Sequence, residues 1–199
     1  MRIKHARLQI PFLARLTAFG WAAAMLASSS QAAFHLWSVR ELYTNLDGTQ
    51  QFIEFVDAFG SQQFVGGQTI QVTDQAGTTT HTFTIPNDLP DESFNRAFLI
   101  ATSGFAAAPG AVAPDFIIPD GFLFAGGGTF DFFGLNSGTY NPLPTDGILS
   151  REFDSNTNQS NSPQNFAGAV GHVAPEPTTW ALLGAAGLAS CLLMRRRAA

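Results

Sequence analysis

Residues 39–59 read VRELYTNLDGTQQFIEFVDAF and hold two short apolar runs on either side of an Asp-Gly dipeptide. Each run has the length of a strand and is rich in the β-branched and aromatic residues that suit a pleated surface. The dipeptide Asp47-Gly48 indicates a turn, because glycine adopts positive φ without steric cost. The stretch therefore predicts a strand, a turn and a second strand.

The same pattern continues along the chain, where short apolar runs alternate with Gly, Pro, Asn and Asp. We find no helical period of any length between these runs. Eight runs have strand character: 34–44, 50–59, 67–74, 80–86, 96–102, 115–119, 128–134 and 146–153. Short strands with turns at this spacing predict an all-β fold, an antiparallel sandwich.

Phenylalanine supplies the bulky residues that such a sandwich needs. Seventeen of the nineteen Phe residues lie between residues 33 and 174, against one Trp and two Tyr. A sandwich fills its interior from both sheets, and Phe brings no polar atom that needs a partner. We therefore expect these Phe residues to form the core. A sugar-binding platform is the alternative, but it favours Trp and Tyr.

Charge is distributed very unevenly along the 199 residues. Between residues 33 and 174 there are three arginines, no lysine and fourteen acidic residues, which leaves a net charge of −11. An acidic surface repels phosphate backbones, so nucleic acid is excluded as a partner. The single cysteine, Cys191, lies outside this segment, so the domain must hold together by packing without a disulfide.

The first 32 residues have the features of an export signal. They combine a basic start, an apolar stretch at residues 16–27 and the small-residue sequence Ser30-Gln31-Ala32. We predict a signal peptide over 1–32, cut by signal peptidase between Ala32 and Ala33. An uncleaved anchor is the alternative, but the apolar stretch is shorter than the roughly 20 residues that usually span a bilayer.

A second apolar segment occupies residues 178–194, which are 17 uncharged residues. It follows Pro175-Glu176-Pro177 and precedes Arg195, Arg196 and Arg197. This length is the short end for a transmembrane helix. By the positive-inside rule the arginines stay in the cytoplasm, which places the preceding domain on the periplasmic side of the inner membrane.

These three parts, in this order and at residues 175–199, resemble the PEP-CTERM sorting signal of Gram-negative bacteria. The resemblance implies that a membrane-embedded exosortase recognises the tail and removes it. It also implies delivery to the cell surface or the extracellular matrix, with an exopolysaccharide or another surface polymer as the final partner. Proteins with this signal are substrates of the sorting enzyme.

A second resemblance covers residues 37–105. The order of strand, Asn/Asp-Gly turn, Phe-Ile-Glu strand, Gly-led strand and Leu-Ile-Ala-Thr strand looks like a lamin-tail-type domain. That family has an immunoglobulin-like β-sandwich fold, so the resemblance implies this fold for a domain over residues 33–155. It implies no catalytic residues.

Residues 156–174 have lost the strand pattern and are rich in Asn, Ser and Gln. This composition predicts a flexible polar linker between the domain and the tail. Phe166 is the one residue that we expect to hold part of it against the domain.

Several groups of residues have the chemistry of a site. Glu41 and Glu54 lie in strands that could be neighbours, and paired carboxylates are the basis of glycoside hydrolysis. Asp115, Asp120 and Asp131 lie near Gly-rich turns and offer oxygen ligands for Ca²⁺. His35, His81 and His172 lack the short spacing of a transition-metal site. Solvent-facing carboxylates and ordinary turn chemistry explain these residues better, so we predict no catalytic residue, metal or cofactor.

The sequence thus favours an exported, non-enzymatic surface or matrix protein with a structural or adhesive β-sandwich. Two alternatives remain open. One is a secreted hydrolase that uses carboxylates on the sandwich, and the other is a module that binds calcium or a glycan.

Overall fold

The structure, a computed structural model, describes residues 35–132, 134 and 136–174, with the backbone alone for residue 136. These residues form ten strands and one short helix. The strands are β1 (Ser38–Thr44), β2 (Gln51–Asp57), β3 (Thr69–Asp74), β4 (Thr80–Thr84), β5 (Arg96–Thr102), β6 (Phe116–Ile118), β7 (Gly128–Phe132), β8 (Asn136–Tyr140), β9 (Leu149–Glu152) and β10 (Asn158–Ser160). The helix is α1 (Ser103–Ala106).

All eight predicted strands are present, beginning with the hairpin of β1 and β2. Thr44 pairs with Gln51 across the predicted turn, and Gly48 has a φ of 73°. The sequence did not predict β8 and β10. Their residues are mostly small or polar, so neither strand has an apolar run that would distinguish it from a loop.

The strands form two sheets. The six-stranded sheet has the order β10-β9-β1-β2-β5-β6, and the four-stranded sheet has the order β4-β3-β7-β8. This agrees with the predicted all-β class. The pairing differs from the prediction at one place, because β6 lies parallel to β5 while the other described pairs are antiparallel. A parallel pair needs a crossover connection, and residues 103–115 with α1 provide it.

The main core lies between the two sheets. Phe55 of β2 stacks on its cross-strand partner Phe98, with 4.5 Å between the ring centroids. It also contacts the facing sheet through Phe130 and Phe132, at centroid distances of 5.9 and 5.2 Å. Each buried Phe contributes about 1.5–3 kcal/mol through the hydrophobic effect, so these contacts hold the sheets together.

The predicted Phe core is confirmed for most of the described Phe residues. Ten are buried: Phe52, Phe55, Phe98, Phe105, Phe116, Phe122, Phe130, Phe132, Phe153 and Phe166. Phe83 and Phe124 are half-buried against the same core. Phe59, Phe64 and Phe94 are exposed instead, so packing does not explain them.

A second apolar cluster covers the outer face of the six-stranded sheet. Tyr43 stacks on Phe52 at a centroid distance of 5.2 Å, and Phe105 of α1 packs edge-on against Phe52. Val173 joins this cluster and is fully buried. The six-stranded sheet is therefore covered on both faces, which is why β2 reads as an almost continuous buried run.

The segment that the sequence predicts as a linker, 156–174, differs most from its prediction. It contains β10, the buried Asn161 and the buried residues Phe166 and Val173. Its Asn, Ser and Gln residues indicated solvent exposure, but many of its backbone and side-chain polar groups find hydrogen-bond partners in the domain. From residue 158 to residue 173 the segment is part of the fold.

The predicted export and sorting segments lie outside the described residues. These are the signal peptide 1–32 with its Ala32–Ala33 cleavage position, the helix 178–194, and the motif residues Pro175, Glu176, Pro177, Arg195, Arg196 and Arg197. In the part of the chain that the structure describes, no helix has the length and apolar character needed to cross a membrane.

Candidate functional site

Residues 161–173, which we call the strap, lie on the outer face of the six-stranded sheet. The strap runs outward from β10, turns at Gly168 and returns, with a bridge between Gln164 and Val170. Gly168 has a φ of 85°, a conformation that glycine adopts freely. The strap is thus a hairpin-like segment whose two ends lie side by side.

Carboxylates of the domain hold the outgoing arm of the strap. In extended backbone, alternate N–H groups point to the same side. Each of three carboxylates accepts one of these N–H groups: Glu41 from Ser162 at 3.0 Å, Glu54 from Gln164 at 3.0 Å and Asp115 from Phe166 at 2.9 Å. A carboxyl oxygen accepts such a bond in either protonation state, and more strongly when it is ionised, so this series fixes the position of the strap.

The first two carboxylates are neighbours on adjacent strands. Glu41 of β1 pairs directly with Glu54 of β2, and both side chains are fully buried. A β-bulge between Val39 and Glu41 interrupts the ladder at Arg40. The Arg40 guanidinium donates to both carboxylate oxygens of Glu54, which supplies the positive charge that this buried pair requires.

Burial changes the acidity of these groups. Desolvation raises the pKa of Glu54 to about 7, with a further contribution from the nearby Glu41. The charge and hydrogen bond of Arg40, and the N–H of Gln164, act in the opposite direction. Desolvation also raises the pKa of Asp115, against the hydrogen bonds from Leu99 and Phe166. Glu54 and Asp115 therefore bind their protons more tightly beneath the strap than the same groups do in water.

The two ends of the strap are joined by one side chain. Asn161 accepts the N–H of Val173 at 2.7 Å and donates from Nδ2 to the Val173 carbonyl at 2.7 Å. The same Nδ2 donates to the carbonyl of Ile148 at 2.6 Å. These buried bonds satisfy both backbone groups of Val173, so the chain is held in place up to this residue.

Glu41 and Glu54 are therefore neighbours, as the sequence predicts, but they do not form an open cleft. Both oxygens of Glu41 accept from Ser162, and those of Glu54 accept from Arg40 and Gln164. With side chains that are fully buried under the strap, neither carboxylate is exposed to a substrate in this conformation. Their chemistry in the structure is to bind a segment of the same chain.

The other predicted residues are dispersed. Asp115 holds the strap, Asp120 is exposed beside His81, and Asp131 accepts the N–H of Gly134 at 2.8 Å. The Nδ1 atom of His172 lies 2.8 Å from the carbonyl of Asn161. Within residues 35–174 as described, no group of three His, Cys, Asp or Glu side chains converges on a point that could hold a metal ion.

Comparison with protein families gives one match, and it begins where the strap ends. Residues 173–197 match the family model for the PEP-CTERM protein-sorting motif. The chain carries a PEP-CTERM sorting motif. The matched range includes all six residues of the predicted motif, from Pro175 to Arg197. A PEP-CTERM motif implies an exported protein that an exosortase processes at the membrane.

No curated protein and no solved structure matches the chain. The lamin-tail resemblance of residues 37–105 therefore stays a prediction. The candidate functional site is therefore the junction between the strap and the PEP-CTERM motif. The two meet at Val173, which is still hydrogen-bonded to the domain through Asn161.

Proposed function

We propose that this chain is an exported cargo protein whose PEP-CTERM motif delivers its β domain to the cell surface or the extracellular matrix. Signal peptidase would cut between Ala32 and Ala33, and the apolar segment 178–194 would hold the chain in the inner membrane with the domain on the periplasmic side. An exosortase would then process the tail. The family match at residues 173–197 carries this proposal.

The strap supports the proposal because it makes the domain and the motif contiguous. Val173 is the last residue of the Asn161 contact and the first residue of the matched motif. A fold that continues up to the motif presents it at a defined position on the domain. The sorting enzyme thus meets the motif attached to a folded cargo, with no long linker between the two.

For the delivered domain we propose a structural or adhesive role without catalysis, on an immunoglobulin-like sandwich of the lamin-tail type. Exposed aromatic residues support adhesion. Phe59 and Phe94 have exposed fractions of 70% and 58%. Their loops are tied together by Asp57, whose carboxylate accepts from Phe59 N at 2.8 Å and from Ser93 Oγ at 2.6 Å. Two apolar rings held on one end of the domain suit contact with a polymer.

Sorting can be tested with the three arginines of the motif. The chain is expressed in a bacterium that contains an exosortase, as wild type and as the triple variant R195Q/R196Q/R197Q. We expect the neutral variant to lose retention and processing, because the positive charges fix the orientation of the apolar segment. Fractionation and mass spectrometry of both ends of the recovered protein give the result.

The matched control is R195K/R196K/R197K, which keeps the charge and should keep the membrane orientation. A wild-type chain in a strain without the exosortase should retain its full tail and remain in the membrane fraction. Sorting that is unchanged in the neutral variant, or an intact chain with residues 1–32 in the cytosol, would contradict the proposal.

Adhesion can be tested with F59S/F94S. We expect the variant to sediment less with exopolysaccharide isolated from the producing cells, while its melting temperature stays close to that of the wild type. The matched control is T82S on the opposite sheet. Equal sedimentation of all three proteins would argue against adhesion through these rings.

A further inference from the structure

One end of the six-stranded sheet is the place where the chain leaves the domain. This end, which we call the exit end, is formed by loop 45–50, by α1 with the loop that follows it, and by residues 144–148. Residues 57–61 and 91–95 form the opposite end. Val173 packs at the exit end, in the cluster that contains Tyr43 and Phe105.

Two large apolar side chains are exposed at the exit end. Leu46 has an exposed fraction of 83% and Ile148 one of 44%. A bridge between Asn45 and Asp146 places their two loops side by side. The Ile148 backbone also lies next to Val173, because Asn161 Nδ2 donates to the carbonyls of both. The exposed apolar residues therefore flank the point where the chain leaves.

The charges at this end are few and are bonded within their own loops. The carboxylate of Asp47 accepts from the backbone and side chain of Thr49, and that of Asp146 accepts from the backbone of Ile148. The sequences of the three segments, 45–50, 103–111 and 144–148, contain no lysine or arginine. The hydrogen bonds from Thr49 lower the pKa of Asp47, so this carboxylate stays charged. Attraction of this end to lipid must therefore come from its apolar side chains, without the electrostatic attraction that basic patches provide.

The short length of chain after Val173 limits how far the exit end can lie from the apolar segment 178–194. Four residues, 174–177, separate Val173 from the apolar segment 178–194. Even fully extended, the path from residue 173 to residue 178 spans at most about 18 Å. The seven residues of β2 alone extend about 20 Å, so the opposite end of the domain lies farther from the exit point than this tether can reach.

We propose that the exit end rests on the bilayer surface while the tail is in place, with Leu46 and Ile148 entering the headgroup region. The proposal rests on the proposed function, because it requires segment 178–194 to be in the membrane. The strap face is the less suitable surface. Its exposed large apolar residue is Val170, which forms a bridge with the polar Gln164. Gln164, Asn165 and Arg96 line a pocket beside the strap.

Spin labelling of the full chain tests this orientation. Single cysteines are introduced by L46C, I148C, V170C and F59C in a C191S background, labelled with a nitroxide and reconstituted in vesicles of phosphatidylethanolamine and phosphatidylglycerol. Collision rates with oxygen and with an aqueous nickel chelate report the depth of each label. We expect labels at 46 and 148 to show at least a threefold lower nickel collision rate than the label at 59. The label at 170 should resemble that at 59.

A label at 170 that is shielded while label 46 is open to nickel would overturn the proposal in favour of the strap face. Equal nickel access at all four positions, in a chain whose tail is inserted, would also overturn it. Insertion is measured separately, by vesicle flotation and by a label at the native Cys191. Failure of insertion itself would overturn the proposed function, which keeps the two results distinct. Melting curves of each variant confirm that it folds.

Discussion

The outer faces of the two sheets differ in whether a second layer of the chain covers their polar side chains. The outer face of the six-stranded sheet carries Glu41 and Glu54, and it is covered by the strap. The outer face of the four-stranded sheet carries hydroxyl groups and is open. One row across that sheet consists of four threonines in register, on β4, β3, β7 and β8: Thr80, Thr73, Thr129 and Thr139.

The comparison teaches that residue type alone does not decide exposure in a sheet. Strand β2 is buried at six of its seven positions, including Glu54, whereas β4 alternates between exposed and half-buried positions. Glutamates are buried on one face because a second layer supplies N–H donors to them. The threonines on the other face are exposed or half-buried, and the hydroxyls of Thr73 and Thr80 bond to each other at 2.9 Å. Substitutions on the covered face should therefore cost more stability than substitutions on the open face.

The largest effect is expected for E54A in the fragment 33–174. The substitution leaves the buried N–H of Gln164 without its acceptor and the guanidinium of Arg40 without its partner. We expect the free energy of unfolding to fall by about 3–4 kcal/mol, measured by urea unfolding at pH 7. E54Q keeps an acceptor of the same size and should lose less. Equal losses in the two variants would show that the carboxylate itself, which Gln lacks, matters at this position more than side-chain volume or a single oxygen acceptor.

The next effect is a pH dependence of stability. The pKa of Glu54 is raised to about 7 in the folded protein, so between about pH 4.5 and pH 7 the folded state binds more protons than the unfolded state. Stability should therefore fall as the pH rises through this window, by roughly 2–3 kcal/mol. E54Q should flatten most of this slope, while the raised pKa of Asp115 leaves a part of it. A slope of opposite sign in the wild type would contradict this account of the covered face.

A smaller effect is expected for N161A, which separates the ends of the strap. Val173 loses the partners of its buried N–H and carbonyl groups, and the expected loss is about 2 kcal/mol. The strap should then open without global unfolding, so limited proteolysis should cut within residues 162–172 faster than in the wild type. S160A, at the exposed end of β10, is the control. Unchanged proteolysis in N161A would mean that the carboxylates alone hold the strap.

The smallest effect is expected on the open face. T82A removes an exposed hydroxyl from β4, and surface changes of this kind stay within about 0.5 kcal/mol. The measurement is the same urea unfolding that is used for E54A. A loss above 1 kcal/mol would show that the Thr82 side chain contributes more to the fold than an exposed hydroxyl in a strand does.

The parts of the fold that the sequence predicted are those with local causes. The hairpin of β1 and β2 follows from two apolar runs and one Asp-Gly turn within residues 39–59. The core of Phe55, Phe98 and Phe130 follows from alternation in three such runs. The sorting motif was recognisable because its proline, apolar and arginine parts are contiguous, and the family match confirms it.

The strap could not be predicted in the same way, because its partners are distant in sequence. Ser162 binds Glu41 across 121 residues, and Gln164 binds Glu54 across 110. Most of these bonds come from backbone N–H groups, which do not depend on the side chain, and the Ser162 hydroxyl is the strap side chain that also bonds to Glu41. The signal that the sequence offered was Phe166, a large apolar residue in a stretch that otherwise indicated a linker.

The long separation between Glu41 and Ser162 also has a consequence for the timing of folding. Synthesis proceeds from the N-terminus, so β1 and β2 are complete more than a hundred residues before the strap exists. Until residue 173 has emerged, the two glutamates lack their cover, and Tyr43 and Phe52 lack the part of it that Val173 provides. Native structure that depends on such distant contacts forms slowly, and its exposed intermediates are prone to aggregate. The strap is therefore the last part of the domain to be synthesised, and the PEP-CTERM motif follows it directly.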